Sequence, residues 1–204
     1  QHLFTAWVIL PSIWMLLVFN HLLISRSRRQ KLQKIQEIKL DPVFMRSLQQ
    51  RYPHISLKQC RLIEAGFKDY LALHAIQQQA YAMPSNAVDA LWHEMLEYPD
   101  QYRKLCIQTI GRELNHHPYG AETQPEQQAK QLFEAWKYSC MLHGYNPRNT
   151  TQMPRLFAID QALNWEHGQH FDLDKMTKDY AKYLQEQSSS SSSCGSSCSS
   201  CGGD

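Results

Sequence analysis

Helix punctuation is the feature that most constrains what this chain can fold into. Asp41-Pro42 reads as an N-cap followed by a first-turn proline, and Arg51-Tyr52-Pro53 stops the short helix that results. Ser56-Leu57-Lys58-Gln59 matches a capping box, in which the serine hydroxyl and the glutamine amide satisfy exposed backbone N–H groups. Met83-Pro84 breaks the chain, Ser85 caps the next helix, Tyr98-Pro99-Asp100 turns a corner, and Pro118 cannot continue the helix before it. Thr123 with Pro125 starts a further helix that ends at Gly144. Two more follow, around Arg155 to Leu163 and from about Asp174 to Gln187. Between these marks apolar residues recur at helical spacing: Ile63, Phe67, Tyr70, Leu71 and His74 in one stripe; Val88, Leu91, Trp92, Met95 and Leu96 in the next. Tyr102, Leu105, Cys106, Ile110 and Leu114 make a third, and Leu132, Phe133, Trp136 and Cys140 a fourth. Trp92 and Trp136 are the expected core anchors. Strand-like alternation is nowhere convincing, so the predicted fold class is all-α, an irregular multi-helix bundle.

Residues 3–24 contain no Asp, Glu, Lys or Arg. A helix of that length rises roughly 30 Å, enough to cross a bilayer core, with Pro11 as a kink. A cleavable signal peptide would need a basic start and a small-residue cleavage site, and a buried core helix rarely stays free of charge for so long. The expectation is therefore a single transmembrane anchor over residues 1–25. Arg26, Arg28, Arg29, Lys31 and Lys34 follow at once. By the positive-inside rule they place the remaining chain on the cytoplasmic side, as a single-pass protein of a bacterial inner membrane. The basic flank over residues 26–34 is expected to meet anionic lipid together with residues 3–24. With a net charge of +2 and no aromatic residues interleaved in the basic run, no nucleic-acid partner is expected.

The 204 residues allow one core of ordinary size with attachments. Leu32, Ile35 and Ile38 recur every third residue within a basic juxtamembrane stalk over 26–40, which reads as a helical continuation of the anchor. The helical domain is expected over 41–187. Gly66 lies mid-helix, where a missing side chain lets a neighbour approach. Residues 188–204 hold mainly Ser, Cys and Gly, and are expected to be a disordered tail. Its thiols, Cys194, Cys198 and Cys201, would bind soft metals or carry lipid if reduced, and would form disulfides if exposed to an oxidising compartment.

Polar side chains capable of chemistry gather between Tyr81 and Pro118. His93 sits at the edge of the Trp92 stripe, with Asp89 one turn earlier on the same face. Cys106, His116 and His117 lie on the following helix or just beyond it. A His-plus-Cys set of this kind suits zinc, with Asp89 orienting a ligand histidine as carboxylates commonly do. His93-Glu94-Met95-Leu96-Glu97 starts like the zinc-protease motif HExxH but has Glu97 where the second histidine must stand, which removes that reading. The competing account is purely structural: His93 bonds Asp89 or a carbonyl, Cys106 is a small core residue, and His116-His117 form a helix end favoured by the dipole. Glu94, Glu97 and Asp100 read as a solvated face, and a cysteine inside an apolar stripe is a poor nucleophile. No catalytic residue is assigned, and the sequence leans away from an enzyme.

Met83-Pro84-Ser85, Val88-Asp89, Trp92-His93, Tyr102, Cys106, Gly111-Arg112, Leu114 and His116-His117-Pro118 together resemble the core motif of the glycine-rich domain-containing proteins, known from plants and bacteria. The similarity extends weakly to Leu156-Phe157-Ala158. It implies a helical domain without an assigned activity. Relatives often carry a second histidine two positions after the Trp-His histidine; here that position is Met95. The functional expectation is a membrane-tethered helical scaffold or interaction module with a protein partner. The alternative is a zinc-binding or metal-dependent protein built on His93, Cys106, His116 and His117.

Overall fold

The computed structural model describes residues 2–116 and 124–192, with side chains described over 14–116 and 124–189. Among the described residues the chain forms eight helices and no strand: α1 (His2–Glu37), α2 (Pro42–Arg51), α3 (Leu57–Ile76), α4 (Asn86–Leu96), α5 (Pro99–Ile110), α6 (Pro125–Leu142), α7 (Arg155–Leu163) and α8 (Leu173–Ser192). The fold is all-α.

Local chemistry sets the helix starts. Asp41 Oδ1 accepts the Val43 N–H at the head of α2. Ser56 and Gln59 close a reciprocal capping box at α3. Ser85 Oγ accepts the Val88 N–H at 3.1 Å to start α4. The proline at the head of α5 and of α6 occupies a position whose N–H would have no helical partner.

Helix α3 is the central strut and packs against α1, α4, α5, α6 and α7. Its apolar residues are buried over most of the circumference, from Ile63 and Phe67 to Leu71, Ala72 and Leu73. A helix so placed needs room for its neighbours, and Gly66 provides it. A Cβ there would collide with Ile159 Cδ1 of α7 and lie 2.8 Å from Val88 Cγ2 of α4. Helix α8 closes the bundle through Tyr180 and Tyr183, which pack on Phe133 of α6 at ring separations of 6.1 and 4.9 Å. It continues through Ser192, beyond the expected stop at Gln187, and Ser188 and Ser189 turn their hydroxyls back onto the carbonyls of Gln185 and Glu186. Cys194, Cys198 and Cys201 lie outside the described residues.

One turn beyond Gly66, a buried ion cluster at Asp69 fastens α3 to its neighbours. Its carboxylate accepts two hydrogen bonds from the Arg155 guanidinium, at 2.6 and 2.7 Å, one from the Gln36 amide of α1, and a 3.0 Å contact from His143 Nε2 at the end of α6. One acid thereby joins four helices. Residues Leu32, Ile35 and Ile38 of α1 pack on the same core, with Ile35 fully buried.

The transmembrane expectation is corrected here. Among the described residues no helix is long and apolar enough to cross a membrane. The described apolar stretch of α1 runs from Trp14 to Ile24, interrupted by Asn20 and His21, and the basic cluster begins at Arg26. Those residues rise only about 16 Å, roughly half a bilayer core. The side chains of residues 3–13, on which the expectation also relied, lie outside the described set. The single-pass anchor and the bacterial inner-membrane placement with a cytoplasmic domain fall with that finding.

Two outcomes follow from this packing. Gly66→Ala gains up to about 1 kcal/mol of helix propensity but overpacks the α3–α4–α7 crossing by about 1–3 kcal/mol. The expected net is a loss of about 1 kcal/mol, read as a lower urea midpoint. For Asp69, burial alone would raise the carboxyl pKa, but hydrogen bonds from His143 and Arg155 and their charge more than offset this and hold it below the usual value. A carboxyl pKa depressed in the folded state contributes stability that is complete above the unfolded value near 4 and is lost as pH falls through the folded value. Asp69→Asn should destabilise the protein by about 3 kcal/mol at neutral pH, the lower end for breaking a buried pair since Arg155 keeps some solvent, and should flatten the acid limb of a Tm-against-pH curve.

Candidate functional site

A cleft of about 1000 Å³ lies beside α3 and α4 and is bordered by the segment after α5 and by Gln127 and Gln131 of α6. Its back wall is a run of aromatic rings in edge or tilted contact. His93 meets His116 at 4.4 Å between centroids, His116 meets Trp92 at 4.5 Å, Trp92 meets Tyr70 at 5.3 Å, Tyr70 meets His74 at 4.9 Å and His74 meets Tyr81 at 5.0 Å.

At one end of this wall Asp89, His93 and His116 converge. Asp89 and His93 stand one turn apart on α4, with His93 Nε2 at 3.3 Å from Asp89 Oδ2. His116 comes from a different element and places Nε2 at 3.0 Å from Asp89 Oδ1. One donor atom from each residue lies within 4.8 Å of the other two. The carboxylate thus sits between two imidazoles, with His116 mostly buried against Trp92 and 58% of the His93 side chain open to solvent.

The local sequence explains how His116 arrives there. Gly111 adopts φ +79° and ends α5 with its N–H on the Cys106 and Ile107 carbonyls. A left-handed residue at this position favours glycine, and it turns Arg112–His116 back toward α4. That returning segment is then fastened by a buried relay. Trp92 Nε1 donates to the Tyr102 hydroxyl at 2.8 Å, and the Tyr102 hydroxyl donates to the Leu114 carbonyl at 2.6 Å, two residues before His116.

The expected ligands His93 and His116 are therefore brought together around Asp89, which was expected only to orient a ligand and here offers a donor atom of its own; Cys106 is not with them. Cys106 is fully buried beside the Tyr102 hydroxyl and the Leu114 backbone, and burial pushes its thiol pKa up, so it is neither a ready thiolate nor a member of the cluster. His117 lies outside the described residues. Trp92 and Trp136 are both buried, and Trp136 donates its indole N–H to the Pro147 carbonyl. Glu94, expected on a solvated face, is buried instead, hydrogen-bonded by Ser47 and 3.5 Å from the Arg51 guanidinium. It faces α2, which the helical stripe alone does not reveal.

Two cleft residues escape sequence reasoning. His74 belongs to the apolar stripe of α3 and looks like core, yet it lines the cleft with neither ring nitrogen hydrogen-bonded. Burial first, and the charge of Arg112 second, push its pKa down to about 3, so it stays neutral. Arg112 lines the same cleft and, among the described residues, pairs with no carboxylate. A histidine interrupting an otherwise apolar stripe was the one available signal for the first. Tyr102→Phe removes the hydroxyl that serves both Trp92 and Leu114; leaving two buried polar groups unpaired is expected to lower stability by roughly 1–3 kcal/mol, measured by urea unfolding.

Neither a curated protein nor a solved structure matches the chain. The resemblance to the glycine-rich domain-containing proteins is corrected, because the family found is a different one. Much of what suggested it, Trp92, Tyr102, Cys106 and Leu114, forms one buried packing unit that specifies a helix pair rather than that family. Residues 30–198, most of the chain and all of the cleft, match the UCP032817-like family, to which this chain belongs.

Proposed function

We propose that this protein binds a divalent transition metal of the zinc type through Asp89, His93 and His116, and that the ion acts at the mouth of the cleft. The observation that carries this reading is the convergence of two imidazole nitrogens and a carboxylate oxygen from α4 and the post-α5 segment within 4.8 Å of one another. Mixed imidazole and carboxylate donors suit zinc and its neighbours in the transition series. Metal–ligand bonds of about 2 Å require the donors to close by roughly 1 Å, which the exposed His93 side chain is free to do. Three protein ligands leave at least one coordination position open, the arrangement of a reactive rather than a purely structural site. That position would face a cleft large enough for a small molecule, so the reading extends to a metal-dependent activity. It is placed before a scaffold or interaction module because converging donor atoms are chemically specific, whereas a helical bundle is compatible with many partners.

The test is elemental analysis of the purified chain after equilibration with zinc and removal of the excess. One zinc per chain is expected, with His93→Ala and His116→Ala each retaining less than a tenth. At a hundredfold excess over Kd the ion should stabilise the fold by about 2.7 kcal/mol, a Tm rise of roughly 5–10 °C that chelator reverses. Substoichiometric zinc in the native chain, or equal zinc in the His93→Ala/His116→Ala double variant, would sink the assignment.

A further inference from the structure

The cleft extends well beyond what one ion needs, and its remaining chemistry is selective. Along the aromatic wall the tyrosine and tryptophan polar groups are already committed. Tyr70 donates to the Tyr81 carbonyl, Tyr81 contacts the Leu73 and Gln77 carbonyls, and Trp92 donates to Tyr102. His74 is the exception. It is 4% exposed, its ring is gripped edge-on by Tyr70 and Tyr81, and both nitrogens lack a partner. A buried imidazole with neither ring nitrogen bonded, set in the wall of a cavity, gives a hydrogen-bonding ligand a partner once a small movement of the wall uncovers it.

Charge narrows the class. Apart from the histidines, Asp89 and Arg112 are the only charged side chains lining the cleft among the described residues, and no lysine lines it. With a dication on Asp89, His93 and His116 the cleft becomes net positive, so an anion is favoured; this step rests on the metal reading above. A single guanidinium suits a carboxylate through paired N–H bonds, whereas phosphate sites usually gather more donors. The same cleft is also lined by the amide-bearing Gln78, Gln127 and Gln131. Amides over aromatic surface match a body of many hydroxyl groups better than an apolar tail.

We propose that the cleft binds a small hydroxylated organic acid, of the sugar-acid class, with its carboxylate toward Arg112 and the open metal position and its hydroxyl-bearing body against His74. A small movement of the wall would let one ring nitrogen of His74 reach a ligand hydroxyl, while Arg112 and the glutamine amides meet the rest of the ligand.

Calorimetric titration of the full-length, zinc-loaded chain with gluconate, glucose and inorganic phosphate tests this. Zinc content is measured before and after each titration. Gluconate should bind saturably without removing zinc, and at least tenfold more tightly than glucose or phosphate. Arg112→Gln, a partly exposed position that should fold normally, should weaken gluconate at least tenfold. His74→Gln should weaken it at least threefold if its Tm stays near that of the parent, and if it fails to fold the Arg112→Gln arm alone decides. A chain that holds one zinc but binds no gluconate overturns this inference and leaves the metal reading intact. Equal binding of glucose would remove the role of the carboxylate, and equal binding of phosphate the role of the hydroxylated body; either result overturns the class. Unchanged gluconate affinity in Arg112→Gln overturns it as well. A chain that holds no zinc fails the metal reading first, a result visible before any acid is added.

Discussion

The site depends above all on the carboxylate of Asp160. From α7 it reaches across to the N-terminus of α4, where Oδ1 accepts the Ser85 hydroxyl at 2.6 Å and the Ala87 N–H at 3.0 Å, and Oδ2 accepts the Asn86 N–H at 2.7 Å. Oδ2 also accepts the Gln169 N–H from the segment after α7. A buried carboxylate is costly to desolvate, and these four donors, set at the positive end of a helix dipole, offset that cost. Since Ser85 in turn caps Val88, the acid caps α4 twice, once directly and once through the serine. The direction of α4, and hence of Asp89 and His93, is set by a residue on another helix far along the chain.

The same crossing is fixed from below by steric fit. Ile159 and Val88, each next in sequence to Asp160 or Asp89, close over Gly66 of α3. Polar capping fixes which way α4 points, and the missing Cβ fixes how near it comes to α3. One turn further along the same face of α3, Asp69 binds Arg155 at the start of α7. Helix α7 is therefore held by an ion pair at one end and by the Asp160 cap at the other, and it acts as the clamp that seats α4 on the central strut. Buried charge here is better understood as specifying one arrangement of helices than as a large source of stability, because desolvation takes back much of the Coulomb gain.

Local signals were legible in the sequence because their partners are close in the chain. The Ser56–Gln59 capping box and the Asp41 and Ser85 caps all act within a few residues, and the Trp92 stripe follows helical period. Asp89 and His93, one turn apart, were legible for the same reason. Contacts spanning many residues were not. Nothing near Asp160 announces that it caps a helix beginning at Asn86, and nothing near Glu94 announces Ser47. His74 was hidden because a histidine in an apolar stripe resembles a core residue until the neighbouring wall is found to be a cleft. The apolar run before Arg26 misled for another reason: among the described residues its apolar stretch is too short to span a bilayer.

Cys106 shows how position and chemistry part company. Its spacing from His93 suggested a ligand, yet its stripe faces inward, toward the same core that Trp92 enters. That inward face has its own bearing on the site. Cys106 and Tyr102 lie one turn apart on α5, and Tyr102 carries the hydroxyl that holds the Leu114 carbonyl. A small side chain at 106 lets the returning segment pass close over α5, and Gly111 supplies the left-handed turn that starts the return. The third member of the cluster thus depends on residues that never touch it: a glycine to reverse the chain, a tyrosine to fasten it, and a small buried thiol beneath. Helix α4 contributes two donors through simple periodicity, whereas the post-α5 segment contributes the third only because the core has been shaped to receive it.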